Sequence, residues 1–142
     1  GTALLVLSII LWVIGFLLFL NIVGMFLNQY FPWWFPTFEF IFFFLYIAGL
    51  VLITVWLCND TKTTRTGLRV AIYLIIGSIV ASVIVVIIYV SVLDKQFVMI
   101  GTGDKGDSDN YDKQPKSWYL ICYIFTGILI IVLAMFYAFT IE

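Results

Sequence analysis

Polar and apolar positions along this chain separate into long blocks and do not alternate. Charged side chains gather at 59–69 and 94–116, and the stretches between them are almost wholly apolar. Four such stretches result, at about 2–27, 37–58, 68–93 and 117–141. Each exceeds the roughly 20 residues that a helix needs to cross a hydrocarbon core about 30 Å thick. The run SVIVVIIYVSV at 82–92 is rich in β-branched residues and would favour a strand in water. In lipid a lone strand leaves its backbone unpaired, so a helix is predicted there too. The period-two pattern of a membrane β-barrel is missing. The pattern predicts an all-α membrane protein: one domain over 1–142, with four transmembrane helices in an up-down bundle joined by short loops.

Composition supports the bilayer as solvent. The chain is 64% hydrophobic, 19% aromatic and 11% charged, where a soluble domain carries roughly 25% charged residues. The net charge of −1 and the lack of a basic patch argue against a nucleic-acid partner. There is no histidine, which removes the commonest proton shuttle, haem ligand and zinc ligand together.

An even number of spans puts both termini and the 59–69 loop on one side, with 28–37 and 94–116 on the other. The first loop carries Lys62, Arg65 and Arg69; the 94–116 loop carries Lys95, Lys105, Lys113 and Lys116. That near balance leaves the positive-inside rule almost without leverage. Asp60 brings the first loop to +2, and five aspartates bring the 94–116 loop to −1, a slight lean toward internal termini. The 28–37 connection, NQYFPWWFPT, carries no charge. Pro32 and Pro36 are predicted to break the helix, and Trp33, Trp34 and, on the fourth span, Trp118 suit the headgroup level as interfacial anchors.

The polar loop contains Gly101-Thr-Gly103-Asp-Lys-Gly106, a literal G-x-G-x-x-G. A dinucleotide fingerprint needs a strand before it and a helix N-terminus at its last glycines. Here the next helix begins about ten residues later, so no nucleotide partner is expected. Counted as an EF-hand from Asp107, the loop has Asp112 where glycine is required and Trp118 where a bidentate glutamate is required. Asp104, Asp107, Asp109 and Asp112 are left as weak chelators at most. The loop reads as a flexible, solvated hairpin between the last two helices.

Few polar residues enter the spans. Glu39 lies a few residues into the second one, near the 94–116 side. Its position suits an interfacial carboxylate meeting water, the helix N-terminus or a loop lysine better than a midplane proton relay. Asn21, two turns from the end of the first span, suits a hydrogen bond to another helix or a headgroup contact, with Thr126 and Ser91 at a similar depth. Ala71, Gly77, Ser78, Ala81 and Ser82 form a small-residue stripe for helix packing, repeated by Ala134 and Ala138 on the fourth span, with Gly127 above and Gly15 and Gly24 on the first. Cys58 and Cys122 are placed near opposite faces of the membrane, too far apart for a disulfide. Asn59-Asp-Thr61 matches a glycosylation sequon on the side of the termini.

Four spans with compact loops resemble the MARVEL-type tetraspans in architecture. The Cys-Cys-Gly of tetraspanins is missing from 94–116 and the paired cysteines of claudins from 28–37, and four-helix cytochrome b anchors require histidines. No catalytic pair, metal cluster or cofactor motif emerges. The expectation is a non-enzymatic accessory subunit of a larger membrane complex, such as a respiratory-chain or ATP synthase assembly of the mitochondrial inner membrane. Its expected partners are other membrane subunits and lipids; no cofactor is expected, and a bound phospholipid is compatible with such surfaces. The alternatives are a self-standing, membrane-organising tetraspan and a small oligomeric channel or transporter.

Overall fold

The computed structural model describes residues 2–58, 65–101 and 111–141. Helix α1 spans Thr2–Leu27, α2 Trp34–Cys58, α3 Arg65–Val92 and α4 Lys116–Ile141; strands β1 (Phe97–Ile100) and β2 (Asp112–Pro115) lie between α3 and α4. All four helices are long and apolar enough to span a bilayer, with mean hydropathy of 2.6 to 3.0 over their most apolar windows. The chain is a multi-pass membrane protein built as a four-helix bundle. The sequon at 59–61, Gly103, Gly106, Asp104, Asp107 and Asp109 lie outside the described residues.

The proline at 36 does not delay α2. It sits in the first turn, where backbone N–H groups have no intrahelical acceptor and a missing donor costs nothing. The helix therefore starts three residues before the expected 37. α3 starts three residues before the expected 68.

The helices form a ring in which α2 and α3 share the widest interface and α4 and α1 the narrowest. Gly49 makes the α2–α3 contact possible: a Cβ there would lie 2.8 Å from the Ala71 carbonyl oxygen and 2.8 Å from Ile75 Cγ1. Around this crossing Leu11, Tyr46, Leu50, Ile75, Ile130 and Tyr137 build the core nearer the termini. The Tyr46 hydroxyl ties α2 to α1 by donating to the Leu11 carbonyl at 2.7 Å.

At the other end the core is aromatic. Phe35 is fully buried and stacks on Tyr89, with centroids 4.3 Å apart and planes 8° from parallel. Phe31 packs edge-on against both. Val98 of β1 is also fully buried in this cluster. The 94–116 segment is thus anchored at its base and is not simply a solvated hairpin. β1 and β2 pair antiparallel, Phe97 opposite Pro115 and Ile100 opposite Asp112. Gly101 follows β1 with φ 141°, a left-handed backbone that favours glycine. Asn28 joins the two loops at this end. Its amide donates to the Met99 carbonyl at 2.7 Å, and its side-chain oxygen accepts from the Tyr30 N–H at 2.8 Å.

Candidate functional site

The polar side chains inside the spans converge on one place. Glu39 comes from α2, five residues past Trp34 and about 7.5 Å along the axis at ~1.5 Å per residue. The helix turns it inward, and it is 4% exposed. It is shut off from water and meets no lysine among the described residues, contrary to expectation. The Ser82 hydroxyl of α3 donates to its Oε2, while Oε1 is buried with no hydrogen-bond partner among the described residues. Phe31, Phe35, Tyr89 and Tyr119 lie between this carboxyl and the hairpin end, which is why a residue so near the helix start is dry.

Asn21 of α1 completes the group. Its amide donates to the Tyr123 hydroxyl of α4 at 2.7 Å. The Tyr119 and Tyr123 hydroxyls lie 3.4 Å apart, one helical turn from each other on α4. Asn21 is thus bonded across to another helix, through Tyr123 and not through Thr126 or Ser91. Those two bond the carbonyls of Cys122 and Ile87 within their own helices, at 2.9 and 2.7 Å.

A small chamber of about 30 Å³ lies among these groups, lined in part by Asn21, Glu39, Tyr46, Ser78, Ser82 and Tyr123. Next to it a crevice of about 360 Å³ runs between α1 and α4 with α3 as its floor. The two spaces share Leu18, Asn21, Ile79, Ser82 and Tyr123 in their walls. Apart from Cys122 and Thr126 the rest of the crevice is apolar, and it ends near Gly127, Leu129 and Ile130. No Lys or Arg lines either space among the described residues.

The small residues of the bundle divide. Ser78 is buried and donates to the Ile75 carbonyl of its own helix at 2.7 Å. Ala134 lies in the core and Ala138 packs beside it. Ser82 serves as a hydrogen-bond donor as well as a small residue. Gly77 faces outward, with nothing within 4 Å of where its Cβ would be, and Ala81 is half-buried. The close approaches fall instead at Gly49, at Gly127 against Val83 and Ile79 (3.1 and 3.2 Å), and at Gly15 against Tyr46 (3.2 Å). Trp33 is 78% exposed and Trp118 59%, both at the hairpin end, whereas Trp34 packs partly on Phe35 and Tyr89. Cys58 and Cys122 are both free and exposed.

Tyr123 and Asn28 are the members of these hydrogen-bonded groups that composition does not announce. Tyr119 and Tyr123 at i and i+4 mark a polar stripe on α4, a detectable signal. Asn28 at a helix end followed by a turn is a weaker one. Compared with protein-family models, curated proteins and solved structures, the chain matches none.

Proposed function

We propose that this chain is a non-catalytic accessory subunit that helps to build a larger membrane protein complex. The observation carrying this reading is how its intramembrane polar groups are used. Asn21–Tyr123, Ser82–Glu39, Trp12–Thr54 at 2.8 Å and Tyr46–Leu11 each tie one helix to another. Such bonds hold helix positions, and they leave the outer faces largely to apolar contact. On α4 that face carries a ridge of Trp118, Phe125, Phe136 and Phe139, all strongly exposed. Rigid aromatic ridges suit packing against neighbouring subunits.

The proposed setting is an energy-converting membrane such as the mitochondrial inner membrane, a choice resting on general character alone. Extraction of native membranes in mild detergent, a native gel and mass spectrometry of the band containing this chain test the reading. Co-migration with other subunits in one discrete large complex is the expected result. A small band holding only this chain would refute it and favour a self-standing tetraspan.

A further inference from the structure

We infer that the α1–α4 crevice binds one uncharged membrane lipid headed by a hydroxyl group, which enters the inner chamber beside Glu39. This site stands whether or not the chain belongs to a larger assembly.

Three features select the class. The first is the Oε1 of a carboxyl that is 4% exposed and lines the chamber, an atom with no hydrogen-bond partner among the described residues. A buried acceptor without a partner is costly, and a ligand donor relieves it. The second is size. A chamber of about 30 Å³ has room for one or two water-sized groups, so a hydroxyl fits and a choline does not. The third is charge. An anionic head would face Glu39 with no Lys or Arg on the walls to offset it. A hydroxyl can donate to Oε1 and accept from the Asn21 amide, whose second N–H, beyond the one given to Tyr123, makes only a long contact of 3.7 Å to the weakly accepting Met25 sulfur.

The body of the ligand follows from the crevice. Its volume of about 360 Å³ lies in the usual range for small-molecule sites, roughly 300–1,000 Å³, and beyond Asn21, Ser82, Cys122, Tyr123 and Thr126 its walls are aliphatic. From the polar end it runs along α4 from Cys122 toward Ile130, away from the hairpin end and toward the bilayer centre. A lipid of the hairpin-side leaflet already lies in that direction, head outward and body inward. It can enter sideways between α1 and α4 without turning over, because those two helices share the narrowest interface. The aromatic cluster beneath the hairpin covers the route from water.

The test uses the full chain in phosphatidylcholine nanodiscs carrying one of two diazirine probes, a sterol or a diacylglycerol, each with a free hydroxyl. Labelled peptides are mapped after irradiation. Labelling at 14–21 and 122–130 by either probe is expected. Whichever of unlabelled sterol and diacylglycerol competes better names the source of the hydroxyl. Acetylating that hydroxyl should lower labelling about tenfold, and so should T126W, which fills the crevice from an exposed position, and E39L. Retained helicity and elution volume certify each variant. The inference is overturned if neither probe labels these segments, if folded T126W labels as the parent does, or if oleic acid competes as well as the hydroxyl lipids do.

Discussion

Gly49→Ala isolates the contact that sets the α2–α3 distance. The added methyl carbon would lie 2.8 Å from the Ala71 carbonyl oxygen and 2.8 Å from Ile75 Cγ1. Ile75 can adjust its rotamer, but a backbone carbonyl held in a helix cannot turn aside. The helices must then separate by several tenths of an ångström, and overpacking of this kind costs roughly 1–3 kcal/mol. Against it stands the better helix propensity of alanine, worth up to about 1 kcal/mol. The net expectation is a loss of about 1–2 kcal/mol, which lowers the melting midpoint by roughly 3–6 °C for a chain of this size. Gly77→Ala is the matched control. It makes the same chemical change in the middle of α3, where nothing lies within 4 Å, so only the propensity gain remains and the midpoint should hold or rise. Both variants are to be melted by circular dichroism in one detergent, with gel filtration confirming the same oligomeric state. If Gly49→Ala melts at or above Gly77→Ala, the close approach at Gly49 does not set the packing.

Asn21→Ala and Tyr123→Phe should each destabilise the bundle, and their double-mutant cycle should show a coupling of about 0.6–2 kcal/mol; effects additive within ~0.3 kcal/mol would remove the bond from consideration. Asn28→Ala leaves the Met99 carbonyl and the Tyr30 N–H without their partner, a loss of about 1–3 kcal/mol. Protease added on the hairpin side should then cut the 94–116 segment faster than in the parent, and equal rates at equal stability would count against the clip. Ser82→Ala strips Glu39 of its one hydrogen bond among the described residues and should cost about 1–3 kcal/mol in denaturant titrations; an unchanged midpoint would mean that the carboxyl finds another donor at once.

The spans were legible because the bilayer imposes a length and an apolar composition that few other structures share. Their ends were less so. Pro36 is a breaker inside a helix but harmless in its first turn, and only the position of the turn tells the two apart. The polar site was half legible. Asn21 and Glu39 stand out as amide and carboxyl in apolar runs, yet their partners Tyr123 and Ser82 are ordinary residues of membrane helices. Which face each helix turns inward depends on crossing angles that no local pattern encodes. The same blindness explains Gly77 and Gly49. Both sit in apolar helices, and the small neighbours Ser78, Ala81 and Ser82 draw attention to Gly77. The tight crossing falls on Gly49, whose partner Ala71 lies on a different helix.

The clip between Asn28 and Met99 bears on how the chain enters its membrane. The two residues are 71 positions apart, a lag of roughly 4–14 s at usual synthesis rates of about 5–20 residues per second. The α1–α2 hairpin is delivered first, and its turn carries a carboxamide whose acceptor has not yet been made. That acceptor arrives on the same face only if α3 and α4 insert in the matching sense. A second hairpin threaded the wrong way would present Met99 to the opposite compartment. Lysine and arginine counts barely orient this protein, so the latch gives insertion a late checkpoint, favouring chains whose two halves agree on which way is out.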